Sequence, residues 1–379
     1  LRIALRRSLC PGRGSPAKAG RILRPPLAPR TQRAFAMNPR VSVIVPNYNH
    51  AQYLPERLDS ILQQSFGDFE LLLLDDASTD QSAEILAATA ASEPRARFLP
   101  NQKNSGSPFA QWNRGAAEAK GEYLWIAESD DRAHPELLTT LVEMLDRDPS
   151  LGLAYAQSMQ IDAQGAELYS YRENLAFIYP DSDWSRDFRI DGRVACRRWL
   201  VYHNPLPNAS GILFRRSAYE AVGGAEEKMR LNGDWYLYVK LLLRYDLAFC
   251  ARELNYFRVH RQSQRSRSRK NASVYQELLL INDLIRKEVP QSTAAADRAL
   301  KKIGNWWIGN LPYHRWSSEN RRINRQLYRR FNRVRGELPL RIALTFIISY
   351  TRDFLRFTGL LKPLKQFRAF LFPGRYWPK

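Results

Sequence analysis

Three carboxylates fall within four residues at the end of YLWIAESDD: Glu128, Asp130 and Asp131. The run before them reads as a buried strand, and charge is costly at the edge of a core. Paired carboxylates at a strand end can hold a hard divalent cation, which takes oxygen ligands and often bridges to substrate phosphates. The bland reading is a helix N-terminus, because both aspartates precede HPELL and acids favour that end of the dipole. Asp75 and Asp76 end a second apolar strand. They either cap the next helix with Ser78 and Asp80 or hydrogen-bond the base or ribose of a ligand. Asp234 opens the helix pattern GDWYLYVKLL. It is either an N-cap or a carboxylate aimed into a cleft as general base for an incoming hydroxyl. His260 lies beside Arg258, Arg261 and Arg265, groups suited to phosphate, although a lone histidine is more often structural.

The elements that must position these groups alternate regularly from residue 41. VSVIVP and FELLLLDD read as strands, the second long and apolar enough to be covered on both sides. YLPERLDSILQQ puts Leu54, Leu58, Ile61 and Leu62 on one helical face. STDQSAEILAATAAS and SPFAQWNRGAAEAKG read as helices, with the strand ARFLPN between them. After the ESDD turn, Leu137, Leu138, Leu141, Val142 and Leu145 line one side of a further helix, followed by the strand LGLAYAQS. This order predicts βαβ units and an α/β fold with a mostly parallel sheet flanked by helices. Ligands bind such sheets outside the carboxyl ends of the strands, where PNYN, DDASTD and ESDD fall.

The 379 residues carry a net charge of +20, but unevenly. Residues 1–36 contribute +9 and residues 301–379 contribute +15, which leaves −4 on 37–300. A nucleic-acid reader more often carries its basic face on the folded module, so nucleic acid is not an expected partner. Basic ends around an acidic body point instead to tails that meet an anionic surface. Residues 1–36 are either a transit-type leader or translated upstream sequence, the latter favoured because the chain opens on Leu and Met37 starts a natural reading. Three widely separated cysteines, Cys10, Cys196 and Cys250, indicate a reducing, cytoplasmic compartment. The longest charge-free run near the C-terminus is ten residues, between Arg341 and Arg352, whereas a spanning helix needs about 20. No GxGxxG, GxxxxGK[ST] or GxSxG stands in the chain, which argues against the usual dinucleotide fold, P-loop NTPases and α/β-hydrolases.

Taken in order, VSVIVPNYNHAQYLPERLDSILQQSFGDFELLLLDDASTDQS, AAEAKGEYLWIAESDD, NASGILFRRSAYEAVGG, GDWYLYVKLL and RVHRQS strongly resemble the family 2 glycosyltransferases with the GT-A fold. The resemblance covers about residues 40–265. It implies that Pro46, Asn47 and Tyr48 lie against a nucleotide base, that Asp76 pairs with uracil, and that Asp130 faces the ribose. It implies Asp131 as ligand of a divalent metal, Mn2+ or Mg2+, and Asp234 as the base that deprotonates an acceptor hydroxyl for single, inverting displacement. Asn208, Ser210 and Trp235 fall in the segments facing donor sugar and acceptor, and Arg258 and His260 match an R-x-H element near the diphosphate. Three positions depart from the family pattern: Glu128 replaces the first acid of D-x-D-D, Gly233 replaces the Glu that often precedes the base, and Gln111-Trp112-Asn113 stands where ARN is frequent. Lys103 or Arg114 is then expected to substitute for the missing arginine.

These readings give three expected bodies: a basic extension over 1–36, a GT-A catalytic domain over 37–265 and a basic helical region over 266–379. The last mixes aromatic residues with 18 Lys/Arg between 301 and 379, a pattern for in-plane contact with an anionic membrane, here the inner face of the plasma membrane. An ordinary helical cap is its rival. The expected activity transfers a sugar from a nucleotide-sugar donor, a UDP-sugar by preference, to a glycan or lipid-linked acceptor in surface polysaccharide, lipopolysaccharide or glycolipid synthesis. A sugar-nucleotide-binding protein without turnover is the alternative, and nucleic-acid binding is the weakest reading.

Overall fold

Apolar runs of strand length form the centre of the molecule. The computed structural model describes residues 38–260, 271–314, 317–333 and 338–357. The 1–36 extension, the 261–270 loop and the aromatic residues beyond 357 lie outside the described residues.

β1 (Val41–Asn47) and β2 (Phe69–Asp75) are buried along their whole length, as their mostly apolar sequences require, and the buried Ser42 hydroxyl donates to Glu70 Oε1 (2.6 Å). They pair in parallel with each other and with β3 (Ala96–Pro100) and β4 (Tyr123–Ile126). β5 (Arg132–Ala133), β6 (Leu151–Ile161), β7 (Glu167–Ser170), β8 (Phe188–Ile190), β9 (Ile212–Arg215) and β10 (Asp246–Arg258) complete the sheet. Its order is β3-β2-β1-β4-β9-β6-β10-β5, with β7 beside β6 and β8 beside β10. β9 runs antiparallel between β4 and β6, so two parallel blocks, β3-β2-β1-β4 and β6-β10, flank one reversed strand.

Helices cover both faces. α1 (Leu54–Leu62), α2 (Ser82–Ser92) and α4 (Leu137–Arg147) pack on one side through Leu54, Leu58, Ile61, Leu86 and the five expected apolar residues of α4. α3 (Pro108–Glu118) lies on the other side with α5 (Tyr171–Ile178), α6 (Gly192–Ala195), α7 (Arg216–Ala221) and α8 (Gly233–Leu242). The C-terminal helices α9 (Ser273–Glu288), α10 (Thr293–Asn310), α11 (Ser318–Asn332) and α12 (Leu338–Phe357) extend that second layer. Tyr275, Leu278, Ile281 and Ile285 of α9 share one core with Trp235, Leu237, Tyr238 and Leu241 of α8, continuous across residue 265. Cys196 and Cys250 are free and buried. No described helix is long and apolar enough to cross a membrane.

Candidate active site

The carboxyl ends of β1, β2 and β4 lie side by side, because β1 is the shared neighbour of the other two. At the end of β1, Asn47 donates through Nδ2 to Asp75 Oδ1 (2.9 Å) and Ser78 Oγ (3.2 Å). Pro46 is buried, and Tyr48 stands at the lip, 46 % exposed. Asn49 and Ala77 both take left-handed backbone (φ 56° and 57°), a costly state for non-glycine residues that clusters at functional sites. Asp76 is buried and accepts from Asn101 Nδ2 (2.5 Å), the Ser105 amide and hydroxyl (2.8 Å each) and Gln111 Nε2 (2.8 Å). Its carboxylate therefore organises the 101–111 segment. Arg114 donates to the Leu99 carbonyl (2.8 Å) and Asn101 Oδ1 (2.7 Å), so it braces the end of β3.

Beside them the ESDD turn divides its acids between different partners. Asp131, the expected metal ligand, accepts from Asn208 Nδ2 (2.5 Å) and the Arg258 amide (2.9 Å). Asn208 in turn accepts from Asn255 Nδ2 (3.0 Å). Asp130 instead meets His260 Nε2 at 2.9 Å, and Ser129 Oγ lies 2.8 Å from His50 Nδ1. His50, Asp130 and His260 offer ligand atoms that all lie within 4.8 Å of one another. Two imidazoles and a carboxylate are a donor set that can hold a divalent first-row metal: the imidazoles favour Fe2+, Ni2+ or Zn2+, and the carboxylate suits Mn2+. The Arg258 side chain is 1 % exposed. Its guanidinium pairs with Glu56 and donates to the carbonyls of Asp130 (2.7 Å) and Asp162 (3.0 Å). It thus holds the acid turn from behind.

Burial and mutual repulsion set the protonation of the turn. Burial pushes Glu128 up to about 8, assisted by the charges of Asp130 and Asp131 and opposed by the Trp112 N–H and Arg57. Burial likewise pushes Asp131 up to about 7, with Asp130 adding to it. Burial would also raise Asp130, but the His260 hydrogen bond and the charges of His50 and His260 outweigh it and hold Asp130 below its ordinary value. Arg57, fully buried under the turn, stacks 4.9 Å from the Trp125 ring centroid. Burial lowers its pKa to about 10 against the pull of Asp131, Asp130 and Glu128. It is an internal counter-charge beneath three acids.

Asp234 stands in the first turn of α8, partly exposed. Trp235 beside it is buried and donates through Nε1 to the Leu200 carbonyl (3.0 Å). Ser210 is fully buried and accepts from the Glu128 amide (3.1 Å).

The three departures from the family pattern form one contact chain. Trp112 Nε1 donates to Glu128 Oε1 (2.9 Å), and the Trp112 ring packs edge-on against Phe109, 5.1 Å between centroids at 82°. Phe109 fills the space over Gly233, where an added Cβ would sit 2.4 Å from its ring. Gln111 reaches Asp76, while Asn113 Nδ2 donates to the Ala225 carbonyl (2.9 Å) and its Oδ1 accepts from the Ala225 amide (2.8 Å). Helix α3 therefore joins Asp76, the acid turn and the segment that leads to α8.

Sequence reading passed over His50, Arg57 and two residues that donate to Asp76, Asn101 and Ser105. Arg57 had a signal: it sits in the inward stripe 54, 57, 58, 61 of α1, where a cation is out of place. His50 had none, since its partners Ser129 and His260 are 79 and 210 residues away.

Comparison with known proteins agrees with this geometry. The family model "Glycosyl transferase family 2" matches residues 42–223. Glycosyltransferase GlyG of Streptococcus pneumoniae is 38 % identical over 122 residues, which are 31 % of this chain and 40 % of that protein. Chondroitin synthase of Escherichia coli is 34 % identical over 203 residues, 54 % of this chain and 26 % of that protein. The chain thus spans less than half the length of either relative. Among solved structures, Staphylococcus aureus TarS 1–349 in complex with UDP-GlcNAc superposes with a TM-score of 0.57 at 17 % identity, covering 89 % of this chain and 93 % of that one. A mannosyltransferase from Pyrobaculum calidifontis, in complex with GDP-Man and Mn2+, gives 0.50 at 18 % identity, covering 81 % and 86 %. Those two share the GT-A architecture of this chain, and residues 42–223 carry the match to glycosyltransferase family 2.

Proposed function

We propose that this chain is a metal-dependent, inverting glycosyltransferase that uses a nucleotide-diphosphate sugar, a UDP-sugar by preference, and a hydroxyl acceptor of a surface polysaccharide, lipopolysaccharide or glycolipid. The observation that carries the reading is the His50–Asp130–His260 group at the carboxyl end of the sheet, tied by Trp112, Phe109 and Gly233 to the helix that bears Asp234. His50, Asp130 and His260 would hold the cation, and Asp131 would brace them through Asn208 and Arg258. The cation, when bound, supplies charge neutralisation for the leaving diphosphate. Asn47, Tyr48 and the loop ordered by Asp76 would form the nucleotide side. Asp234 takes the proton of the acceptor hydroxyl as its oxygen bonds to the anomeric carbon. The bond from that carbon to the phosphate oxygen breaks, its electron pair leaves with the nucleoside diphosphate, and the configuration inverts.

A panel of UDP- and GDP-sugars with Mn2+ or Mg2+, read by nucleotide release, tests this. Asp234→Asn should abolish release and keep UDP–Mn2+ binding, whereas Asp130→Ala should lose the binding. A wild type that releases no nucleotide from any donor refutes the proposal.

The helical region would meet an anionic membrane at the inner leaflet, in a cytoplasmic setting. α11 turns Arg321, Arg322, Arg325 and Arg329 outward over buried Ile323, Leu327 and Phe331, and α12 exposes Leu340 (63 %) and Leu344 (46 %). Cations beside apolar side chains fit phospholipid head groups.

A further inference from the structure

We propose that Glu277, in the C-terminal helix α9, is a positioning residue for the catalytic base. The segment 230–232 that leads into α8 has no regular secondary structure, so its amides need partners from elsewhere. One buried carboxylate supplies them. Glu277, 5 % exposed, accepts from the amides of Arg230 (2.6 Å), Leu231 (3.2 Å) and Asn232 (2.8 Å) and from Asn232 Nδ2 (3.1 Å). Three consecutive N–H groups around one anion make a nest, and its last member, Asn232, is the N-cap of α8, two residues before Asp234.

The same segment is anchored on its other side. Arg230 Nη1 donates to the Gly106 carbonyl (2.9 Å), and Ser107 Oγ donates to the Glu227 carbonyl (2.9 Å). Gly106 and Ser107 adjoin Ser105, which binds Asp76. The approach to α8 is thus clamped between the nucleotide-side loop and Glu277. A helix beyond the matched residues 42–223 completes the site, and the charge of Glu277 is placed where no water-facing role explains it.

This inference rests on Asp234 being the base, and the test separates the two. Hydrogen–deuterium exchange on the full chain, without nucleotide, compares wild type, Glu277→Gln and Glu277→Ala. Glu277→Ala should speed exchange over 230–234 about tenfold and leave β1 and β2 unchanged. Glu277→Gln should fall between, since its amide oxygen accepts but its NH2 faces the same donors. With Mn2+ and a UDP-sugar that wild type turns over, Glu277→Ala should lower kcat on the order of 10- to 100-fold with the UDP Kd unchanged. Unaltered exchange at 230–234, unaltered kcat, or a UDP Kd that weakens in step with kcat overturns the proposal. Wild type without turnover overturns the glycosyltransferase reading, while the exchange result still decides the hold of Glu277 on the segment.

Discussion

Gly233→Ala puts one methyl group into the contact chain that joins the acid turn to α8. The new Cβ would lie 2.4, 2.6 and 2.7 Å from three carbons of the Phe109 ring, closer than any stable carbon–carbon contact. Phe109 is itself buried and set edge-on against Trp112, whose N–H is fixed on Glu128. The ring cannot turn aside without disturbing that hydrogen bond. Overpacking of this kind costs about 1–3 kcal/mol. Alanine gains up to about 1 kcal/mol over glycine inside a helix, but Gly233 is the first residue of α8, where that gain is smallest. The expected result is a lower denaturation midpoint at unchanged m-value, equivalent to about 1–3 kcal/mol. Phe109→Leu should relieve it, because the shorter side chain vacates the overlap. The double variant should then be more stable than the sum of the single losses by about 0.5–3 kcal/mol. Nucleotide release should follow the same pattern, poor in Gly233→Ala and partly restored in the double variant. A Gly233→Ala midpoint equal to wild type, or strictly additive losses, refutes the idea that Gly233 is required by Phe109.

Protonation of the acid turn makes stability depend on pH and metal. Glu128 and Asp131 have folded pKa values of about 8 and about 7 against ordinary values of 4.5 and 3.8, so the folded chain retains protons that the unfolded chain releases. Metal-free protein should lose stability as pH rises from 5 to 8, and Mn2+ should flatten the slope; a Tm in EDTA that is level or rising over that range contradicts the assignment. Arg258→Lys loses the fork that spans Glu56 and two carbonyls and should cost about 1.5–3 kcal/mol; wild-type stability would show that the guanidinium does not hold the turn. Asp76→Asn places an NH2 among four donors, so UDP affinity should fall, and an unchanged Kd by calorimetry would remove Asp76 from the nucleotide side. The full chain should sediment with phosphatidylglycerol vesicles and not with phosphatidylcholine vesicles, and Arg321→Glu with Arg325→Glu should release it; binding that ignores lipid charge refutes the membrane contact.

What was legible in the sequence follows from range. Leu137, Leu138, Leu141, Val142 and Leu145 are periodic, and all five are buried in α4. The four-leucine run of FELLLLD lies in a strand covered on both faces. Such signals are local, and local spacing survives into the fold. The antiparallel β9 was not legible, because Ile212–Arg215 owes its direction to partners on β4 and β6 rather than to its own four residues. The same limit applied to the acid turn. Its residue types announced a charged site, but the division between Asp130 and Asp131 depends on His260, Arg258 and Asn208, all more than 75 residues away.

The departures at 111–113, 128 and 233 show the limit most directly. Read along the chain they are three independent losses: an arginine, an aspartate and a glutamate. In space the indole that replaces part of ARN needs an acceptor, and glutamate at 128 provides it at 2.9 Å. The phenyl ring packed on that indole needs room, and glycine at 233 provides it. The contacts make the residues at these positions depend on one another. A Glu at 233 would drive its Cβ into Phe109, and an unpartnered indole N–H at 112 would be buried at a cost of about 1–3 kcal/mol. The substitutions therefore fit one another in space and link the acid turn to the start of α8.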